Sequence, residues 1–307
     1  MVSLIIPTLN AGRSIEKLFE ALEGQTERPE EIIVIDSASV DNTFKIAQSR
    51  GARTISVARD SFDHGGTRTF AGKSARGDIL IYMTQDTLPA NEYSLENLIK
   101  PFSEDNKTGA VYGRQLPIHE ASIFGAHLRY FNYPESSYVR SFDDRDVFGI
   151  KTAFLSNSFA AYRRDVLEDI GWFKEDLIST EDTYAGAKML IAGYKIAYAA
   201  DALVYHSHNY TMTEEFKRYF DIGVFHRTHK WILDTFGKAE GEGIKYIKSE
   251  FAFIIKHNKY YLIPEFIVRN ILKYVGYKLG QIYGILPFSL IRRFSMHRGW
   301  WKKQRVK

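Results

Sequence analysis

The chain contains no cysteine, which excludes disulfides and cysteine-ligated zinc and fits a reducing compartment. It has no apolar run near the ~18 residues that a membrane-spanning helix needs. The N-terminus opens directly on the strand-like Val2-Ser3-Leu4-Ile5-Ile6, without the basic segment and apolar core of a signal peptide. A cytoplasmic protein is therefore expected. No Gly-x-Gly-x-x-Gly follows that first strand, which counts against a dinucleotide-binding domain. Acidic residues are scarce in one region only. Residues 251–307 hold 12 Lys/Arg against the single acid Glu265, whereas the first 250 residues carry a net −7 within a total of +4. Such asymmetry points to an anionic partner for the tail. Nucleic acid is a poor match for that partner, because the body is acidic and no recognised module is present.

What is there fits one large domain with an appendage: 307 residues, 45% hydrophobic and 25% charged. Val2 to Pro7, Glu31 to Asp36, Arg53 to Val57 and the run Asp78 to Met83 read as strands, nearly apolar throughout, as strands buried on both faces are. Helical spacing separates them: Ile15, Leu18, Phe19 and Leu22 first, then Phe44 and Ala47. Gly65-Gly66 marks a loop before a helix from Thr67 to Ala75. The alternation predicts an α/β fold with a mainly parallel central sheet flanked by helices and right-handed crossovers. Further strands are expected at Ala110 to Gln115, Ala153 to Ala161, Lys195 to Tyr198 and Leu203 to Tyr205. Helices are expected at Arg164 to Ile170, Glu181 to Ala192 and Glu214 to Phe236. Residues 120–150 read as a long connection shaping a pocket. A Gly-rich break at Gly237 to Gly243 divides a body, 1–236, from a basic, aromatic helical extension, 237–307.

In open α/β sheets ligands bind outside the carboxyl ends of the strands. Asp86 follows such an end, where a carboxylate either caps a loop or holds a divalent cation carrying a diphosphate. Asp36 ends another strand and either caps its loop or accepts from a base or ribose. Asp41 reads as a helix cap. Asp63-His64-Gly65-Gly66-Thr67-Arg68 brings a cation and two glycines to a helix start, where anions are attracted. Arg68 either meets a diphosphate there or is solvated in an ordinary turn. Ser179-Thr180-Glu181-Asp182 either forms a capping box or presents Asp182 as a general base, with Glu181 orienting or contacting the acceptor. His206 and His208, at i and i+2 on a strand end, point to one side and suit a metal. Oxygen donors from a carboxylate and a diphosphate favour Mg2+ or Mn2+ over zinc.

Together these pieces resemble the inverting glycosyltransferases of family 2, of GT-A fold, over about residues 1–235. The resemblance is carried by Ile6-Pro7-Thr8-Leu9-Asn10, Val34 to Thr43, the Asp86 strand end, Glu181-Asp182 and Val204-Tyr205-His206. Phe62 to Arg68 and Arg298-Gly299-Trp300-Trp301 resemble the rhamnosyltransferase branch, which uses dTDP-L-rhamnose. The resemblance implies that Pro7, Thr8, Asn10, Asp36, Ser39, His64 and Arg68 surround the nucleotide sugar. It implies Asp86 with His206 or His208 as metal ligands and Asp182 as the base. The family commonly has Asp-x-Asp where this chain has Thr84-Gln85-Asp86, so Thr84 and Gln85 stand as candidates for a ribose hydroxyl. That departure also supports a competing reading as a non-catalytic sugar-nucleotide binder; the Glu181-Asp182 pair argues against it, since a pure binder needs no base. A UDP-linked galactose, glucose or N-acetylglucosamine is the alternative donor. The tail is expected to lie on an anionic membrane beside a lipid-linked saccharide acceptor, or to pack on the body or a second subunit.

Overall fold

Alternate residues of the first strand, β1 (Val2–Thr8), enter two different cores. Leu4 and Ile6 face one apolar cluster and Ile5 the other. The same division holds along the fourth strand, where Leu80 and Tyr82 join one cluster and Ile81 and Met83 the other. A strand covered on both faces carries no polar alternation, hence the near-continuous apolar runs in the sequence. A computed structural model describes residues 1–237 and 239–304, without the side chains of Ala239 and Glu240. Lys238 and the last three residues of the expected extension lie outside the described residues.

The remaining strands are β2 (Glu31–Asp36), β3 (Arg53–Ser56), β4 (Ile79–Met83), β5 (Leu88–Pro89), β6 (Thr108–Leu116), β7 (Tyr138–Arg140), β8 (Phe159–Arg163) and β9 (Lys195–Tyr205). They form one sheet in the order β3-β2-β1-β4-β8-β6-β9-β5, with β7 also on β9. The block β3-β2-β1-β4 is parallel throughout, as is β6 on β9. In contrast β8 runs antiparallel to β4 and β6, and β5 and β7 run antiparallel to β9, so the sheet is mixed. The ends of β1, β2, β4, β6 and β9 and the start of β8 consequently share one rim.

Several boundaries differ from the sequence reading. Gly65 and Gly66 lie inside helix His64–Ser74 rather than in a loop. A Cβ on Gly65 would come within 2.0 Å of the Lys174 carbonyl oxygen, so this glycine admits the protein's own backbone. The strand expected from Ala153 begins at Phe159, after a 3-10 turn over Gly149–Ala153. The 120–150 connection contains helix Ile123–Asn132 and β7. The two short strands expected near 195–205 are the two paired parts of β9, whose register jumps between Gly113↔Ala199 and Arg114↔Leu203. The helix expected over Glu214 to Phe236 is interrupted at His229. Gly241 and Gly243, expected in a break, are helical within Ala239–Lys256.

The C-terminal helices pack on the body. Helix Ile263–Gln281 crosses helix Met212–Thr228 in backbone contact at Gly223, Gly276 and Gly280. A Cβ on Gly280 would come within 2.1 Å of the Phe220 carbonyl oxygen, which no side chain tolerates. Buried charges fasten the same crossing: Arg269 pairs with Glu215 at 3.1 Å, and Lys273 with Glu215 and Glu250 at 3.5 and 3.6 Å. Two of the tail's cations are thus used internally. Its outer side keeps Tyr260, Tyr261, Ile267, Ile271, Tyr274, Ile282 and Ile285 exposed.

Candidate active site

Four segments meet at the shared rim. The loop after β4 delivers Asp86, the end of β9 delivers His206 and His208, the start of helix Glu181–Ile191 delivers Glu181 and Asp182, and the start of helix His64–Ser74 delivers His64. His64, Glu181, Asp182, His206 and His208 line one cavity of about 370 Å3. Asp86 borders it through the histidines: its Oδ2 lies 3.5 Å from His206 Nε2 and 3.8 Å from His208 Nε2. Asp86 and Asp182 therefore serve the same side of the molecule.

At the Asp86 corner, ligand atoms of Asp86, His206 and His208 all lie within 4.8 Å of one another. The tautomer of His206 follows from its neighbours. Arg129 has only donors, and one of its guanidinium nitrogens faces Gln115 Oε1, so that atom is the amide oxygen. The same oxygen lies 2.8 Å from His206 Nδ1, which must then carry the hydrogen. His206 Nε2 is therefore the nitrogen that faces Asp86, 3.5 Å from its Oδ2. Burial, then the neighbouring His206, pushes His208 down to about 4, so its ring is neutral near pH 7. Burial alone would raise the Asp86 carboxyl, but His206, Thr84 and His208 outweigh it and hold Asp86 well below the usual carboxylate range. One ionised carboxylate and two oriented imidazoles are a donor set that fits a divalent cation.

At the Asp182 corner the expected capping box is absent. The cap residue Thr180 has φ +62° and makes no side-chain cap bond, and Ser179 Oγ is buried without a partner. Asp182 instead accepts from the backbone N–H of Thr183 at 2.7 Å and of Asn157 at 3.2 Å. Burial, reinforced by the adjacent Glu181, raises its pKa. Burial opposes ionisation of Glu181 as well, but the Arg68 guanidinium 3.0 Å away, with the Asn157 amide, holds it ionised. Arg68 is buried in this ion pair, so the cation expected at a diphosphate is committed to Glu181. The helix start expected to attract an anion is capped by Asp63, which accepts from Gly66 N–H at 2.6 Å.

The ends of β1 and β2 form a hydrogen-bonded knot. Asp36 accepts from the hydroxyls of Thr8 (2.9 Å) and Ser39 (2.6 Å) and from Ser39 N–H (2.8 Å). Loop capping thus fills three of its roughly four acceptor positions. Ser39 Oγ also accepts from Asn10 N–H at 2.7 Å, and Pro7 sits on β1 opposite Ile35. Gln85 spends both ends of its amide on the backbone of Leu9, at 2.7 and 3.2 Å. It ties the β1 loop to the β4 loop and is not free for a ribose. Thr84 shares a 2.8 Å hydrogen bond with Thr87. Asp41 accepts from Gly12 and Thr43 N–H, which stabilises the loop.

Sequence reasoning missed Gln115, Arg129, Asn157 and Asp221. All are buried around the cavity or its ligands. A polar residue inside a strand or loop carries no local signal of the distant partner that justifies it.

The mixed sheet flanked by helices, with Asp182, His206 and His208 around one cavity at its rim, is of the GT-A type. The chain belongs to glycosyl transferase family 2, which it matches over residues 3–171. It is a glycosyltransferase, 45% identical over 301 residues to the O-antigen chain rhamnosyltransferase WbaN of Salmonella anatum, an alignment covering 97% of this chain and 95% of that one. It is also 45% identical over 302 residues to RfbN of Salmonella typhimurium, described likewise, covering 98% and 96%. Among solved structures, a mannosyltransferase of Pyrobaculum calidifontis in complex with GDP-Man and Mn2+ superposes with TM-score 0.61 at 16% identity, over 93% of this chain and 88% of that one. TarS of S. aureus with UDP-GlcNAc gives 0.56 at 17% identity, over 92% and 91%. At these identities the structural likeness establishes the fold.

Proposed function

We propose that this protein transfers L-rhamnose from dTDP-L-rhamnose, with inversion, to a hydroxyl of a lipid-linked saccharide in bacterial surface polysaccharide assembly. The observation that carries the sugar is the near full-length 45% identity to two Salmonella rhamnosyltransferases. The observation that supports the chemistry is the shared cavity of Asp182, His206 and His208. Asp86, His206 and His208 would hold Mn2+ or Mg2+, and the two imidazoles favour Mn2+. When bound, such an ion supplies positive charge to the departing diphosphate. Thr8, Asn10, Asp36 and Ser39 shape the nucleotide side. Asp182 accepts the proton of the acceptor hydroxyl as its oxygen attacks the anomeric carbon. The bond to the diphosphate breaks, and its electron pair leaves with the nucleoside diphosphate. Glu181, held ionised by Arg68, keeps Asp182 basic.

With Mn2+ and a saccharide acceptor, dTDP-L-rhamnose is expected to be consumed with a kcat/KM at least about tenfold above those of UDP-galactose, UDP-glucose and UDP-GlcNAc, a preference of roughly 1.4 kcal/mol. A UDP sugar turning over faster would overturn the donor assignment.

The tail extends the same reading to a peripheral membrane location at the cytoplasmic face. Among the described residues no helix is long and apolar enough to cross a membrane. Exposed Ile267, Ile271, Tyr274 and Ile285 accompany the basic surface of the extension, as in helices that lie on anionic lipid. The full chain is expected to float with vesicles containing phosphatidylglycerol, and Ile267→Ser with Ile271→Ser and Ile285→Ser to weaken that flotation. Equal flotation of the triple variant would remove this face as the contact.

A further inference from the structure

The Trp-rich end of the chain has a structural job at the active site. Trp301 is buried, and Trp300 Nε1 donates to the Asp176 carbonyl at 3.1 Å. Gln304 Nε2 donates to Asp176 Oδ1 at 2.7 Å and Lys303 Nζ to the Phe62 carbonyl at 3.2 Å. These contacts clamp the C-terminal segment against Asp176 and the loop that starts helix His64–Ser74, which are themselves joined by Asp176 N–H donating to Asp63 Oδ2 at 3.1 Å. Upstream, Met296 N–H donates to Asp221 Oδ2 at 2.9 Å and His297 N–H to Ser295 Oγ at 2.9 Å. Met296 and His297 are thereby set into the wall of the cavity that contains Asp182.

The His297 ring meets His64 edge-on, with centroids 5.3 Å apart. Among the described residues neither imidazole has a hydrogen-bond partner, yet neither is sealed from solvent. Burial, with His64 next in effect, pushes His297 down to about 4, and burial lowers His64 as well, so both rings are neutral near pH 7. A neutral imidazole offers one donor and one acceptor, which matches a sugar hydroxyl that both donates and accepts. Charge neighbours divide the cavity into two ends. His208 sits with His206, Asp86, Arg129 and Arg218, whereas His297 sits with His64 and Glu181. The first is the diphosphate end. An inverting attack comes from the face opposite the leaving group, so the acceptor enters from the second.

We infer that His297, together with His64, forms a hydroxyl-recognising subsite for the acceptor saccharide, which makes the C-terminal segment part of the active site. The inference rests on the glycosyl-transfer reading above. It also moves His64 from the nucleotide, where the sequence placed it, to the acceptor.

The test uses the full chain with dTDP-L-rhamnose, Mn2+ and a panel of octyl glycosides as acceptors, comparing wild type, His297→Ala and His297→Asn. His297→Ala is expected to raise the acceptor KM about tenfold, the loss of one ligand hydrogen bond. Affinity for dTDP with Mn2+, read by calorimetry, is expected to stay within about twofold and the melting temperature within about 2 °C. The Asn variant, which keeps a donor and an acceptor, is expected to recover part of the loss. An unchanged acceptor KM in an active His297→Ala variant would overturn the subsite. An equal fall in donor affinity would overturn it too, because the segment would then act on the fold alone. Failure of the wild type to consume any nucleotide sugar would instead overturn the reading on which the subsite rests.

Discussion

Asp182→Asn is expected to lower kcat by about 100- to 10,000-fold, the usual contribution of a positioned general base. The variant keeps the shape of the side chain and removes the ability to take the acceptor proton. Donor affinity should stay near wild type, because Asp182 is held by Asn157 and Thr183 and has no bond to the Asp86 corner. The pH profile gives an independent check. Burial and Glu181 raise the pKa of Asp182, so the wild-type rate should fall, as pH drops, well before the ordinary carboxylate value of about 3.9 is reached. Stability runs the other way. A carboxyl whose folded pKa is raised favours the fold while protonated, and that contribution is lost as pH rises through the folded value. At pH 8 the Asn variant should accordingly melt no lower than wild type. Wild-type turnover in Asp182→Asn would remove this residue from the chemistry.

Loss of metal-dependent donor binding is the expected result of Asp86→Ala. Among the described residues Asp86 is the only carboxylate in the cluster with His206 and His208, and its charge has no substitute in Thr84 or Gln85. Calorimetry of dTDP-L-rhamnose should show affinity that rises with Mn2+ in the wild type and is insensitive to Mn2+ or EDTA in the variant. Turnover should fall at least about 100-fold, since charge on the departing diphosphate would go uncompensated. Donor affinity that still responds to Mn2+ in Asp86→Ala would place the ion elsewhere.

The parts of this site that stand at strand ends were legible in the sequence. A buried parallel strand announces itself by its apolar run, and the first polar residues after it must lie at the sheet's rim; Asp36, Asp86, His206 and His208 were all found in that way. The parts that depend on distant partners were not legible. Ser179-Thr180-Glu181-Asp182 spells a capping box, but the left-handed Thr180 turns the segment so that Asp182 meets Asn157 instead. Gly65-Gly66 spells a loop, yet both are helical and the space that Gly65 leaves is filled by the Lys174 backbone. Arg68 looked free for a diphosphate because its partner, Glu181, lies more than a hundred residues away. Gln115 and Arg129, which orient His206, carry no local signature at all. The antiparallel entry of β8 was hidden for the same reason, because direction in a sheet is set by the connection rather than by the strand.

The stereochemistry of the product bears most directly on whether one cavity joins a leaving diphosphate to a base on the opposite face. Proton NMR of the saccharide formed from dTDP-L-rhamnose should show the anomeric configuration opposite to that of the donor, as a single displacement requires. A product that retains the donor's configuration would contradict both Asp182 as the base and the Asp86 corner as the seat of the diphosphate.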